Sequence, residues 1–376
     1  MLSRSLQRLS AGGFSALRRG LGRCGEWIRA RPRLAAWLYR GGESGTADAQ
    51  YRAFNGWYFS QFDAQEKMLA DRPRMEFYHA AIARHVQPGD RVIDLGTGTG
   101  ILAAFAARRG AAKVYALDHS NILKHARRLA EHNGLEHVEF VATHSRNFTT
   151  DGRVDVILHE QMGDFLFDEA MVPNVLDLRD RLLKPGGLIV PSRFEFFCEP
   201  VKVRDSRRIP FIWELDVHGY DYSSLERSRP QDPQYYRHAG NDLGVVEHFL
   251  DEPEPVLALD LQTLREADLP REIHFSRTVV NAGRLDGLAV FFRARVDADL
   301  SLTSSPSDPG RAPNWGYRIL RIDAENFAVG DTIEFTLAVD QWTEPDTWRW
   351  SHRRAPAREM PHASESGAHE SPLASA

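Results

Sequence analysis

A glycine-rich run between an apolar segment and an alanine-rich segment most constrains the fold of this 376-residue chain. Residues 92–100 read Val-Ile-Asp-Leu-Gly-Thr-Gly-Thr-Gly, and residues 101–109 have high helix propensity. Glycine lets a backbone turn tightly after a strand and approach a ligand without a Cβ clash. The run therefore predicts a strand, a ligand-binding turn and a helix, which together form one unit of an α/β sheet.

The rest of the chain divides into two patterns at Pro191. Strand-like segments at 91–95, 113–117, 138–142, 154–158 and 188–190 alternate with helical segments at 101–109, 121–133 and 169–183. This order is typical of a mostly parallel sheet covered by helices. Later segments at 193–203, 272–280, 288–296 and 332–339 alternate apolar and polar residues, as half-buried antiparallel strands do. We therefore predict the fold class α/β + β, a Rossmann-like domain followed by a β-rich domain.

Composition places a segment at each end outside these two domains. We predict a basic extension at 1–50, the Rossmann-like domain at 51–191, the β-rich domain at 192–343 and a disordered tail at 344–376. The tail is rich in Pro, Ser, Ala and His. The first forty residues hold nine arginines and one acid, Glu26. This pattern is typical of contact with an anionic membrane surface, of a transit peptide or of a solvated basic arm. A start codon placed too early would also produce it, and all four interpretations stay open.

Composition also excludes several classes of protein. No apolar run approaches the roughly 20 residues that a membrane-spanning helix needs. The net charge of −5 argues against broad nucleic-acid binding. Cys24 and Cys198 are far apart, so the sequence predicts no disulfide framework and no metal site. Cysteine usage fits a reducing compartment, and we predict a cytoplasmic protein.

The glycine spacing and two acids predict the cofactor. Gly96, Gly98 and Gly100 follow the pattern G-x-G-x-G, which argues against the G-x-G-x-x-G of dinucleotide-binding dehydrogenases. Asp94 precedes them and can accept a hydrogen bond or face the charged amino-acid end of a cofactor. Asp118 ends the second strand, where one carboxylate can accept both hydroxyls of a ribose. Together these residues predict S-adenosylmethionine, and hence a methyltransferase domain.

An acidic loop after the fourth strand lies where the reacting group should be. Glu160 and Glu169 bracket a turn that contains Met162, Phe165 and Leu166. Paired acids in a loop are ordinarily a solvated surface. The apolar residues between these two instead predict a partly buried loop at the mouth of the cofactor pocket.

Ordered motifs across residues 51–342 resemble the protein arginine methyltransferase family. The matching segments are 58–62, 160–171, 183–191, 213–221 and 304–315. Residues 160–171 are similar to the family's paired-glutamate loop. Residues 183–191 are similar to the segment that leads into the family's β-barrel. The resemblance implies a β-barrel-like substrate and dimerisation domain at 192–343. It also implies a homodimer, with residues 221–242 in the region of the family's dimerisation arm.

The resemblance further implies a role for each matching residue. Glu160 and Glu169 clamp the substrate guanidinium by charge-assisted hydrogen bonds. Arg74 pairs with the cofactor's carboxylate, Met162 shapes the methyl-transfer channel and Trp315 walls the substrate pocket. The remaining matches are Met68 at the cofactor, with Tyr58 and Asn314 at the substrate.

Three departures from the family pattern leave alternatives open. Phe62 lacks the hydroxyl of the family's tyrosine, and Asn314 replaces a histidine, so it cannot hold a positive charge. Residues 144–147 read His-Ser-Arg-Asn where the family has an acid near the adenine. The leading prediction is N-methylation of arginine in a protein or peptide. The alternatives are methylation of a different protein, small-molecule or RNA acceptor, and a cofactor-binding interaction protein with reduced catalysis.

Overall fold

The computed structural model describes residues 57–240 and 242–355. The predicted basic extension, Cys24 and the last part of the predicted tail lie outside the described residues. The first half contains the helices α1 (Phe62–Leu69), α2 (Arg72–His85), α3 (Ile101–Arg108), α4 (Leu123–His132) and α5 (Met171–Leu182). It also contains the strands β1 (Arg91–Leu95), β2 (Lys113–Asp118), β3 (Val138–Ala142), β4 (Val154–His159) and β5 (Leu183–Val190).

The first five strands form one parallel sheet in the order β3-β2-β1-β4-β5. Most side chains of β1, β2 and β4 are buried, because helices cover such a sheet on both faces. Strand order reverses between β1 and β4. At such a reversal the loops at the carboxyl ends of the strands diverge and leave a crevice for a ligand.

Helix α2 shows how local sequence positions the entrance to this crevice. Asp71 caps the helix, with its carboxylate accepting the backbone N–H of Arg74 at 3.4 Å. Pro73 lies in the first turn, where it removes no intrahelical hydrogen bond. The buried side of the helix, which includes Phe77 and Tyr78, packs into the core of the parallel sheet. Asp71 and Arg74 are therefore buried at the start of a rigid helix.

The second half of the chain consists of antiparallel strands. They are β6 (Arg193–Val203), β7 (Asp216–Val217), β8 (Tyr220–Asp221), β9 (Arg237–Gly240), β10 (Val246–Phe249), β11 (Leu257–Asp260), β12 (Glu272–Thr278), β13 (Gly283–Arg295), β14 (Ser301–Thr303), β15 (Tyr317–Phe327), β16 (Thr332–Val339) and β17 (Trp348–Arg354). Short 3₁₀ turns occur at Ser145–Asn147, Ile212–Glu214, Ser223–Ser228, Pro233–Tyr236, Glu266–Asp268 and Pro345–Thr347.

Three sheets organise these strands. The largest has the order β10-β6-β13-β15-β9, with β11 also paired to β6 and β14 to β13. A second sheet has the order β12-β16-β17, and β7 and β8 form a hairpin. One buried apolar cluster runs from the parallel sheet into the largest antiparallel sheet, so the two domains share a core. The predicted fold class, a Rossmann-like domain followed by a β-barrel-like domain, is confirmed.

Several predicted boundaries are wrong. Helix α5 begins at Met171, two residues after the predicted start, and β5 begins at Leu183 although we predicted a strand only at 188–190. Strand β15 was not predicted, because charged residues alternate along its exposed face. The tail prediction fails at Trp348–Arg354, which pairs with β16. Trp348, the first residue of β17, is fully buried, and this burial orders a segment whose composition suggested disorder.

No helix in the two described stretches is long and apolar enough to cross a membrane.

Candidate active site

A cavity lies at the carboxyl ends of β1, β2 and β4, and we call it the strand-end cavity. Its lining includes six of the predicted site residues, namely Met68, Gly96, Gly98, Asp118, Glu160 and Glu169. These residues come from α1, from the end of β2 and from the two loops that follow β1 and β4. The strand order of the sheet brings them together, as the position of the glycine run predicted.

The glycine loop forms a cradle that side chains would fill. Gly96 and Gly98 have φ values of +73° and +55°, in the left-handed region that favours glycine. A Cβ atom on Gly98 would lie 2.9 Å from Oε1 of Gln65. Gly100 lies deeper, and a Cβ there would come within 3.1 Å of the Phe140 ring. Gly96 and Gly98 therefore open the cavity, whereas Gly100 allows α3 to pack closely.

The two predicted cofactor acids occupy different environments. Asp118 lines the cavity, and its two oxygens accept the backbone N–H groups of Gly98 at 3.0 Å and Ser120 at 2.7 Å. Each oxygen keeps a lone pair for a further donor. Asp94 is fully buried and accepts the hydroxyl of Thr97 at 2.5 Å and the N–H of Ala103 at 3.0 Å. Asp94 thus stabilises the loop and the start of α3.

Burial perturbs the pKa of Asp94. Loss of solvation raises the pKa to about 7, while the bonds from Thr97 and Ala103 oppose the shift. Its Oδ1 atom has no hydrogen-bond partner in the described part of the chain, and neither does Oε1 of the neighbouring Gln161. Gln161 also lines the cavity. These two acceptors lie in the same part of the molecule as the glycine loop and would suit a ligand that carries an ammonium group.

Glu160 forms an ion pair with Arg74. The Nη1 atom of Arg74 lies 2.9 Å from Oε1 of Glu160, and the guanidinium stacks 3.7 Å from the ring centroid of Trp315. Arg74 is only 3% exposed and is absent from the lining of the cavity. Burial raises the pKa of Glu160, and Arg74 opposes that shift. In this structure Arg74 therefore neutralises one of the two predicted clamp residues.

Glu169 has no ion pair among residues 57–240 and 242–355. Burial raises the pKa of Glu169 well above its ordinary value, and the negative charges of Glu160, Asp168 and Asp164 raise it further. Besides Asp118 beneath the glycine loop, the cavity lining thus holds two glutamates, and Arg74 forms an ion pair with only one of them. A cationic group that entered beside Glu169 would supply the missing positive charge.

The loop between the two glutamates is fixed to the β-rich domain. The carboxylate of Asp164 accepts the N–H of Gly316 at 3.0 Å and pairs with Arg318 of β15 at 2.5 Å. Asp168 accepts the N–H of Phe165 at 2.9 Å and so closes the turn inside the loop. Both carboxylates therefore hold the loop in place without lining the cavity.

The other predicted substrate residues lie outside the cavity lining, and Asn314 is exposed. Met162 is buried, and its carbonyl accepts the indole N–H of Trp315 at 2.6 Å. The backbone N–H of Asn314, and not its side chain, bonds Asp71 at 3.0 Å, while the side-chain amide bonds the carbonyl of Lys67 at 2.9 Å. Tyr58 is half-buried, with its ring edge-on to Phe59. None of the four lines the strand-end cavity, although Phe59 does.

Sequence reasoning missed several polar residues of the lining. Gln65 and Gln161 contact the glycine loop, and His119 and Ser120 follow β2 directly. His144 lies after β3, and its ring centroid is 6.0 Å from that of His119. Their place soon after strands could have indicated Gln161, His119, Ser120 and His144, whereas Gln65 lies in α1 and had no such signal. No group of three or more metal-ligating side chains occurs within the described residues.

Comparisons with known proteins agree with this architecture. A family model described as a methyltransferase domain matches residues 92–187. Protein arginine N-methyltransferase PRMT10 of Arabidopsis thaliana is 30% identical over 310 residues, which cover 74% of this chain and 80% of the relative. The PRMT10 of Oryza sativa subsp. japonica is 42% identical over 292 residues, 69% of this chain and 76% of the relative.

Solved structures of similar proteins share the fold. A Trypanosoma brucei PRMT1 enzyme–prozyme heterotetrameric complex with AdoHcy has a TM-score of 0.65 at 25% identity, covering 74% of this chain and 88% of that one. An open conformation of Arabidopsis thaliana protein arginine methyltransferase 10 has a TM-score of 0.65 at 28% identity, covering 75% and 89%. The similarity extends over both domains, because about three quarters of this chain is matched and neither domain alone is that long.

Proposed function

The chain belongs to the protein arginine methyltransferase family, and from that premise we propose that Glu160 and Glu169 hold the substrate guanidinium in the strand-end cavity. The enzyme uses S-adenosylmethionine and methylates arginine. The observation that carries the assignment is the charge imbalance in the cavity. Three carboxylates line it, those of Asp118, Glu160 and Glu169, and Arg74 pairs only with Glu160. The cation of the lining, Arg146, is exposed and forms no ion pair with either glutamate among the described residues. A guanidinium is the cation whose planar donors match carboxylates in pairs.

The residues of the cavity suit the cofactor. The cradle at Gly96 and Gly98 accepts a ligand close to the backbone, and Asp118 keeps lone pairs for the ribose hydroxyls. The unpaired Oε1 atom of Gln161, which lines the cavity, suits the amino group, whereas Asp94 lies beneath the glycine loop outside the lining. When bound, the cofactor supplies an electrophilic methyl group on a sulfonium.

The two glutamates would prepare the acceptor. A guanidinium is a poor nucleophile because its charge is delocalised and it stays protonated. Carboxylates on two of its nitrogens draw positive charge toward themselves and leave electron density on the third. Burial favours the protonated form of Glu169, and a guanidinium bound beside it would favour the ionised carboxylate instead. That carboxylate could then accept the proton that the acceptor nitrogen loses on methylation. Trp315 and Arg74 lie behind Glu160 and fix its position.

Substitution of each glutamate tests this proposal. Glu160→Gln and Glu169→Gln keep the volume and remove the charge, and we expect each to lower methylarginine formation by about 100-fold or more. Glu76→Gln is a matched control, because Glu76 pairs with Arg72 on the exposed side of α2. Mass spectrometry of an arginine-rich peptide measures the product, and calorimetry measures cofactor affinity separately. Full methylarginine formation by both cavity variants would rule out the clamp.

We also infer a homodimer. The segment 204–236, which we call the arm, overlaps the predicted arm region 221–242 and begins before it. It carries apolar side chains that are exposed in the single chain, namely Ile209, Ile212, Val217, Tyr220 and Leu225, and only Leu225 lies within the predicted region. Exposed apolar clusters of this kind are typical of protein interfaces. Light scattering should give twice the chain mass, and Tyr220→Asp, at 74% exposure, should shift the protein toward the monomer. A monomeric mass for the unmodified chain contradicts the inference.

A cytoplasmic location and membrane contact through the basic extension remain proposals. Cys198 is a buried free thiol, which is compatible with a reducing compartment. Cell fractionation tests the location. Sedimentation with anionic and neutral lipid vesicles, with and without residues 1–50, tests the membrane contact.

A further inference from the structure

A second cavity lies on the β-rich domain at the base of the arm, and we call it the arm-base cavity. It opens between the segment that follows β6 and the strands β9, β13 and β15. Its polar lining is dominated by basic side chains, with three arginines and one histidine against two acids. No residue of the strand-end cavity contributes to it.

Both acids of the arm-base cavity are already paired with cations. Asp286 accepts Nε of Arg208 at 2.6 Å and Nε of Arg284 at 2.7 Å. Glu214 pairs with the other end of Arg208 and accepts the backbone N–H of Phe211 at 3.2 Å. These bonds compensate the charge of Arg208. Neither acid forms an ion pair with Arg321 among the described residues, although the negative charge of Glu214 favours the charged form of Arg321.

Arg321 is a half-buried cation with no carboxylate partner among the described residues. Its guanidinium lies 3.9 Å from the ring centroid of Phe211. It donates to two backbone carbonyls, those of Ile209 at 3.0 Å and Tyr235 at 3.3 Å. Burial lowers the pKa of Arg321, which reflects the cost of holding a cation without a counter-ion. A bound anion would remove that cost.

Two further groups favour an anion in the same place. Arg207 is exposed at the rim and has no ion pair in the part of the chain that the structure describes. His238 of β9 is half-buried, and it lines the cavity together with Arg321. Apolar side chains of Val203, Ile209 and Ile319 supply the walls. A ligand for this cavity therefore needs a negative end and an apolar body.

We propose that the arm-base cavity binds a carboxylate that carries a short aliphatic group. The planar guanidinium of Arg321 matches a carboxylate through paired hydrogen bonds, and the aliphatic group packs on the apolar walls. Such a ligand can be a free aliphatic acid or the C-terminal carboxylate of a protein chain that ends in an apolar residue. Both sources present the same chemistry, and a pair of peptides distinguishes them.

Binding of 4-methylpentanoate, measured by calorimetry on the full chain, tests the proposal. The neutral 4-methylpentanamide has the same apolar body and is the matched ligand control. We expect the acid to bind with a Kd of about 1 mM or tighter and the amide to bind at least about tenfold more weakly, equivalent to about 1.4 kcal/mol. Equal affinity of acid and amide, or no binding of the acid, overturns the proposal.

Two arginine variants locate the site. Arg321→Gln should weaken binding of the acid by about tenfold or more, since it removes the half-buried cation. Arg207→Gln should weaken it by about threefold and, being at an exposed position, should not disturb folding. Arg204→Gln is the matched control, because Arg204 is exposed in the same segment and does not line the cavity. Unchanged affinity in both cavity variants would place any binding elsewhere and refute the site.

A pair of peptides distinguishes the two sources of the carboxylate. Both end in leucine, one with a free carboxylate and one amidated. Tighter binding of the free peptide than of 4-methylpentanoate indicates a protein ligand, because the preceding residues then add contacts. Weaker binding indicates a free acid, and both results support the cavity as a carboxylate site.

Discussion

Replacing Arg74 by methionine should expose how strongly the ion pair with Glu160 supports the site. The pair has a nitrogen–oxygen distance of 2.9 Å, and its side chains are 4% and 22% exposed. Unit charges about 4 Å apart interact by about 4 kcal/mol at an effective dielectric constant near 20, and loss of solvation offsets part of this energy. Arg74→Met also removes the stacking on Trp315, which contributes about 1 kcal/mol.

We therefore expect Arg74→Met to lower the free energy of unfolding by about 3 kcal/mol, because Glu160 then lacks its counter-ion. Glu160→Gln should lower it by about 2 kcal/mol, less than the Arg74 substitution, because Arg74 keeps the carboxylate of Asp71 at 3.8 Å as a second counter-ion. The double variant should lose about 2 kcal/mol less than the sum of the two single effects. Urea denaturation followed by tryptophan fluorescence measures all four proteins.

The pair Arg72–Glu76 provides the matched cycle. Its nitrogen–oxygen distance is 2.6 Å and both side chains are largely exposed, so solvent screens the interaction. Arg72→Met and Glu76→Gln should therefore have additive effects. If the Arg74 and Glu160 substitutions were also additive within about 0.5 kcal/mol, the ion pair would not be the interaction that supports the site.

Four further substitutions test other parts of the structure. Asp118→Ala should weaken cofactor binding in calorimetry by about 30-fold, through loss of two hydrogen bonds. Gly98→Ala should lower the unfolding free energy by about 1 kcal/mol in urea titrations, because its φ is +55° and the new Cβ would meet Gln65. Burial raises the pKa of Glu169, so the folded chain holds a proton that the unfolded chain has lost. The free energy of unfolding, measured in urea, should therefore fall as pH rises above about 4.3, the ordinary pKa of a glutamate. Glu169→Gln should make this fall shallower. Trp348→Ala should cost about 4 kcal/mol of thermal or urea stability, whereas removal of a disordered residue would cost nothing.

The sequence predicted the elements that have strong periodicity. Strands β1, β3, β6 and β16 have the predicted bounds, because each is an apolar or alternating run that ends at a polar turn. The convergence of Asp118, Glu160 and the glycine loop also followed from sequence, since carboxyl ends of parallel strands meet at one edge.

Contacts between distant segments could not be predicted in the same way. Nothing local to Arg74 indicates that its partner is Glu160, because their approach depends on how α2 packs against β4. The contact of Asn314 with Asp71 is equally invisible in the sequence, because the backbone N–H of Asn314 makes it and its side chain does not. Strand β17 escaped detection because its tryptophans stand among arginines and a histidine, and only its pairing with β16 buries one face.

The glutamate loop is packed into the β-rich domain as well as hydrogen-bonded to it. The ring centroids of Phe167 and Trp342 are 4.4 Å apart, and those of Phe165 and Trp348 are 5.2 Å apart. The loop and the last strand must therefore change together during evolution, because a smaller ring on one side leaves a hole on the other. A Rossmann-like domain expressed alone would display these phenylalanines to water and aggregate. Grafting the domain onto a foreign barrel would transfer cofactor binding but misplace the carboxylates.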